Sequence, residues 1–209
     1  LIAYLKWAED KPGVLDEKIT FTNPVDVGYV QQFAPSAPLE VGKTYTAKEL
    51  LEIMTKYSDN QALVLLFKRI PPQYQEDLYN LLGVDSKLIT DPTARLTIRQ
   101  YSIFFRILFN ASFLSRTNSE YALDLLSQSS FEDGLRAGVP FPTVVSHKFG
   151  ERKTSNDLQQ FHDCGIVYYP KHPYLLCLMT RGSDVGALID AIARTSDFVY
   201  KEIDRQYGK

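Results

Sequence analysis

The chain has 209 residues, enough for one large domain or two small ones with a real hydrophobic core. Apolar residues make up 44% and charged residues 23%, a globular composition that excludes wholesale disorder. The net charge is −2 with no basic run, which excludes a nucleic-acid surface, and no apolar run reaches the roughly 18 residues of a transmembrane helix.

"LIAYLKWAED" reads as a helix already under way. Leu1, Ile2, Ala3, Leu5 and Ala8 are apolar and no cap precedes them. It lacks the basic start and small-residue cleavage site of a signal peptide, and Lys11-Pro12-Gly13 ends it. Residues 14–45 read as irregular, with short β-prone pieces, "KITFT" and "VGYVQQF", between Pro and Gly. Helices are expected at about 47–56, 60–69, 73–82, 97–110 and 118–128. Thr46 with Glu49 forms a capping box for the first of these. Ser58 with Gln61 fits a second box, so on its own "SDNQ" reads equally as a helix start. The 97–110 helix is the most apolar and central, with Ile98, Tyr101, Phe105 and Leu108 at helical spacing. Tyr101 is expected to pack with its hydroxyl hydrogen-bonded.

The pattern then turns β-like. "TVVSHKFGE", "DCGIVYYP" and "YLLCLMTRG" read as three antiparallel strands, the last two a hairpin around Pro170-Lys171-His172-Pro173. "DVGALIDAIARTSDFVYKEIDRQYG" reads as a long amphipathic helix. The expected fold is α+β in a single domain, 1–209: a helical cluster (about 1–140) beside an antiparallel sheet covered by the last helix (about 141–209). Around that hairpin centre Cys164 and Cys177 fall at unequal distances. They are therefore read as core residues of neighbouring strands and not as a disulfide.

Two constellations carry chemistry. One is Ser58-Asp59-Asn60. The other is "HKFGE", residues 147–151, where Lys148 is either an edge residue or a site cation. Gly150 marks a bulge or a close backbone approach. His147, His162 and His172 show no zinc-ligand spacing with Cys164, so no metal site is expected.

In this order the two constellations resemble the signature of penicillin-binding proteins and class A β-lactamases: Ser-x-x-Lys, then Ser-Asp-Asn, then Lys-Thr-Gly. The second element is unchanged here and the third is Lys-Phe-Gly. "VGKTYTAKELLEIMTKYSDNQA" is similar to the family's helix leading into Ser-Asp-Asn, and the strands and last helix follow the family's order. The resemblance covers nearly the whole chain. It implies a β-lactamase/transpeptidase-like fold and a serine acyl hydrolase or transferase. The implied substrate is a β-lactam or a cell-wall stem peptide, handled without a cofactor and outside the cytoplasm.

The resemblance also implies roles by matching position. Ser58 relays a proton to the leaving nitrogen, and Asn60 bonds the substrate amide and the nucleophile's Lys. Asp59 points inward and braces the turn. Lys148 attracts the substrate carboxylate. Phe149, Gly150 and Glu151 line the substrate, with half of an oxyanion hole near Glu151.

Three departures shape the expectation. No Ser stands three residues before any Lys, so the resemblance implies a Ser-x-x-Lys just before Leu1. It implies in turn a fold truncated at its N-terminal end, inert alone, whose sheet an N-terminal fragment or a second copy completes. Phe149 stands where the family has Thr or Ser, which removes a hydroxyl for the substrate carboxylate. No Glu-x-x-Leu-Asn motif occurs in residues 84–95, and Asp85 and Asp91 read as turn or cap residues, so an acyl-enzyme is expected to persist. Two alternatives stay open on the same fold: a non-catalytic binding or scaffold domain, and an esterase.

Overall fold

The computed structural model describes residues 1–26, 31–85, 96–153 and 158–208. Among them, helices start where capping side chains stand. α1 (Ile2–Asp10) is followed by α2 (Ala47–Lys56), which opens at the expected box, with Thr46 and Glu49 each bonding the other's backbone N–H. α3 (Asn60–Phe67) opens at Asp59, whose Oδ1 accepts from Ala62 N at 2.8 Å. The Ser58–Gln61 box therefore does not form. Gln61 instead exchanges two 2.8 Å bonds with the backbone of Val25. With Asp59 as the cap, Ser58 sits in the left-handed region (φ 56) and its hydroxyl is released for another partner.

α4 (Pro72–Leu81) has Pro in its first turn, and α5 (Ile98–Phe109) opens at a second capping box, Thr97 with Gln100. α6 (Arg116–Ser127) is capped by Ser115, and α7 (Val185–Tyr207) by Asp184.

β1 (Lys18–Thr20) pairs antiparallel with β2 (Thr44–Thr46), a strand the sequence did not announce. Residues 31–33 of "VGYVQQF" form no strand, and its residues 27–30 lie outside the described residues. β3 (Val145–Lys153), β4 (Gln159–Val167) and β5 (Tyr174–Gly182) form the main antiparallel sheet in the order β3-β4-β5. The register sets Lys148 opposite Cys164, Gly150 opposite His162, and Cys164 opposite Cys177.

That last pair corrects the reading of the cysteines: Cys164 and Cys177 are joined in a disulfide. The pairing of Val167 with Tyr174 centres the hairpin between Pro170 and Lys171, with Lys171 left-handed (φ 64). Placing the turn at 170–173 moved the centre by one residue, enough to misalign two opposed sulfurs.

Alternation along the strands splits the sheet into two faces. One face gives Cys164 and Ile166 to a core built with Leu5, Leu50, Leu51, Phe105 and Leu108. The other gives Phe149 and Phe161 to a second core with Phe131, Leu135, Leu188 and Ile192. α5 packs on the first face of β4 and β5, and α7 covers the second. Each fully buried aliphatic or aromatic side chain adds about 1.5–3 kcal/mol, so both layers hold β3 in place at the edge of the sheet.

Candidate active site

The two constellations are 90 residues apart in the chain and meet in space. Lys148 Nζ donates to Ser58 Oγ at 2.6 Å and to the carbonyl of Phe149 at 3.2 Å. The ammonium also lies 4.3 Å from the centre of the Phe149 ring, a cation–π distance. Burial withdraws water from this ammonium and pulls its pKa down to about 8. The carboxylates of Asp163 and Glu151 oppose that shift, more weakly.

The backbone around Ser58 is fixed from three sides. Asp59 is 2% exposed, and its carboxylate takes Ala62 N with one oxygen and Leu39 N (3.3 Å) with the other. It faces inward and braces the turn. Gln31 Nε2 donates to the carbonyl of Ser58 at 3.0 Å. Asn60, half-buried, is the first residue of α3 and so is carried beside Ser58.

β3 is fixed as firmly. The Tyr101 hydroxyl donates to the carbonyl of Lys148 at 2.9 Å, joining α5 to the strand at the site, and burial pushes the phenol's pKa well up. Phe149 is 8% exposed, its ring 4.2 Å from Phe131 and 5.8 Å from both Phe161 and Phe33. Glu151 Oε1 accepts from the N–H groups of Gln32 (2.8 Å) and Phe33 (3.1 Å). Phe149 and Glu151 thus hold segment 31–33 against the end of β3. Gly150 has no room for a side chain: a Cβ there would stand 2.3 Å from His162 Nε2.

An apolar cavity of about 480 Å³ runs from Leu1 and Ile2 past Met54, Leu63, Phe67 and Phe104 to Lys148. Lys148, which bonds the Ser58 hydroxyl, therefore stands at one end of an apolar space, an arrangement suited to holding an anionic group beside an apolar one. Among the described residues no group of three His, Cys, Asp or Glu side chains gathers to hold a metal. Asp85 is exposed beyond α4, and Asp91 lies outside the described residues.

Sequence reasoning missed Gln31, Gln32 and His162. The first two bond through contacts 27 and 119 residues away, and no local pattern signals them. His162 depends on the β3–β4 register, which no turn motif fixed.

No curated protein matches the sequence. The structure is similar to that of PBP-A (TM-score 0.78, 19% identity, 98% of this chain and 77% of the other). It is also similar to a β-lactamase from Chitinophaga pinensis (0.73, 18%, 97% and 81%). A third likeness is to a class A β-lactamase described as that of the last common ancestor of Gram-negative bacteria (0.74, 23%, 97% and 80%). At these identities the likeness shows the fold. Membership rests on the sequence model described as the β-lactamase enzyme family, which matches residues 1–203. Since that match spans nearly the whole chain, the protein belongs to the β-lactamase enzyme family.

Proposed function

We propose that this chain forms most of a serine acyl hydrolase or transferase, a single domain that acts on a β-lactam or a cell-wall stem peptide outside the cytoplasm. The observation that carries the reading is the 2.6 Å bond between Lys148 Nζ and Ser58 Oγ, which joins Ser-Asp-Asn to Lys-x-Gly. The nucleophilic Ser and its Lys belong to a Ser-x-x-Lys that these 209 residues do not contain.

In the reaction, that Ser oxygen forms a bond to the substrate carbonyl carbon, and the carbon–nitrogen bond breaks. The hydroxyl proton passes through Ser58 to the leaving nitrogen. Water or a second amine then attacks the ester and returns the proton. Lys148 holds the substrate carboxylate, and Asn60 holds its amide. A variant of PBP-A is known as an acyl-enzyme complex with penicillin G, which supports the same chemistry on this fold.

Intact mass with and without benzylpenicillin tests the reading. A stable adduct of one drug molecule is expected when the chain is expressed with its natural upstream residues, and none on the 209 residues alone. Nitrocefin hydrolysis by the 209-residue chain would sink the assignment of the nucleophile.

One observation favours a second reading. Phe149 offers no hydroxyl and its ring is packed among aromatics, which suits an ester better than an anionic lactam. An esterase would turn over p-nitrophenyl esters and leave benzylpenicillin unbound. Neither an adduct nor ester turnover, with the upstream motif absent, would leave a binding domain.

A further inference from the structure

Asp163 is a carboxylate set in an apolar layer. It shares its face of β4 with Phe161, stands opposite Phe149 and Leu178 in the second core, and has no exposure to solvent. A buried carboxylate is costly unless donors gather around it. Leu135 N donates to Oδ2 at 3.0 Å, and His147 Nδ1 lies 3.0 Å from Oδ1 and 3.1 Å from Oδ2. The turn before Leu135 closes tightly on the group: Gly134 is left-handed (φ 65), and a Cβ there would stand 2.7 Å from Oδ2. The carboxylate is thereby locked behind β3, on the face of the sheet opposite the Lys148 side chain.

Lys148 is met by uncharged groups. Its ammonium bonds the Ser58 hydroxyl and the Phe149 carbonyl and lies over the Phe149 ring. A carboxylate bonded directly to it would stabilise the cation but occupy the position an anionic ligand needs. One held behind the strand stabilises the cation and leaves that position open. We propose that Asp163 is a positioning residue of the site, a carboxylate locked behind β3 that sustains the positive charge of Lys148 for the ligand. This inference rests on the proposed function and names what keeps its anion-binding group charged.

The groups around both residues fix the direction of the effect. Burial is the largest influence on Lys148 and lowers its pKa to about 8. Of the charges that oppose it, Asp163 acts more strongly than Glu151, whose carboxylate accepts from Gln32 N and Phe33 N. On β4, burial lowers the pKa of His162 from 6.5, so its imidazole is neutral where Lys148 titrates. On α5, burial raises the pKa of the Tyr101 phenol, which stays neutral there too. Asp163 pushes the pKa of both His162 and Tyr101 upward, so its field crosses the sheet. Around Asp163 itself, His147 comes from β3, the uncharged Leu178 from β5, and on α7 Ser196 bonds the Leu135 carbonyl. Removing the charge of Asp163 therefore lowers the Lys148 pKa further, and anion binding fades from a lower pH.

The test is a lysine side-chain NMR titration of the ligand-free 209-residue protein, with the Lys148 signal identified by its loss in Lys148→Met. Asp163→Asn and Asp163→Ser each keep an oxygen for Leu135 N and remove the charge. Both are expected to move the Lys148 midpoint down from about 8 by about one unit. His147→Gln disturbs the same packing but keeps the carboxylate, so its midpoint should stay at or above the wild-type value. A fall of equal size in His147→Gln would reduce Asp163 to a structural brace, and an unmoved midpoint in the two neutral variants would overturn the coupling. Affinity for phenylacetylglycine, an apolar ring bearing a carboxylate, carries the test to the site. The pH at which binding fades should fall with the midpoint, about a tenfold loss of affinity by about pH 9. Binding that fades at an unchanged pH while the midpoint falls would overturn the role of Asp163 in the site. Midpoints that fall as expected, with no binding to any form at any pH, would overturn the proposed function and leave the coupling standing.

Discussion

Burial strips hydration from the Lys148 ammonium and returns a hydroxyl, a carbonyl and a ring face. The exchange is incomplete, and the pKa drops to about 8. Because the folded value lies below the ordinary 10.5, the charged form costs stability below pH 8, and that cost fades as pH rises. Attraction for an anion fades over the same range. Binding of a carboxylate ligand should therefore fall above about pH 8 while the fold becomes slightly more stable, and Lys148→Met should remove the pH step altogether. Parallel titrations of affinity and melting temperature check both signs; a step that survives in Lys148→Met belongs to another group. Asp59 acts on the same centre from beneath. Asp59→Ala orphans the buried N–H groups of Ala62 and Leu39, an expected loss of about 2–3 kcal/mol in urea unfolding. Asp59→Asn keeps an acceptor at the cap and should cost about half as much.

Helix starts were legible because each is a local event. Thr46 with Glu49 announced α2 within four residues, and the apolar spacing of α5 announced a central helix. Ser58 misled because two capping candidates stand side by side, and only contact with Lys148 shows which one is spared. Lys148 itself was legible through its motif. Its neighbours were not, because strand register depends on turn geometry: one residue of error at Pro170-Lys171 hid the disulfide, and no turn motif fixed the β3–β4 register that sets His162 opposite Gly150. The disulfide now makes a prediction about the hairpin. It links residues 13 apart, and closing a loop of that size constrains the unfolded chain by up to about 3 kcal/mol. β4 and β5 are already paired on both sides of it, so reduction should lower the melting temperature by a few degrees without unfolding the sheet. Melting with and without a phosphine reductant, with Cys164→Ala/Cys177→Ala as the control, measures this. An unchanged midpoint would show that the bridge adds nothing to the hairpin.

The sheet separates two cores, yet it also joins them. Helices α1 to α6 pack on one face around Leu5, Leu50 and Leu51, and α7 seals the other through Leu188 and Ile192. Ser58 comes from the first layer and Lys148 from a strand both layers hold, so the site keeps its geometry only if the layers fold together. Side-chain bonds cross the second layer: Ser196 Oγ donates to the Leu135 carbonyl at 2.8 Å, and Leu135 N donates to Asp163. On the first, Ser146 Oγ donates to the Leu123 carbonyl at 2.7 Å, tying β3 to α6. We propose on these contacts that the chain folds as a single cooperative domain, and one substitution tests it. Ile192, on the sheet-facing side of α7, is fully buried, so Ile192→Ala should cost about 2–5 kcal/mol. The sole tryptophan, Trp7, lies on α1 in the other layer and reports on it by fluorescence. If the layers fold as one unit, the denaturation midpoint seen by Trp7 moves as far as the midpoint seen by far-UV circular dichroism. If the Trp7 midpoint stays while the dichroism midpoint falls, α7 and the sheet unfold alone, and Lys148 is lost from Ser58 before the helical layer gives way.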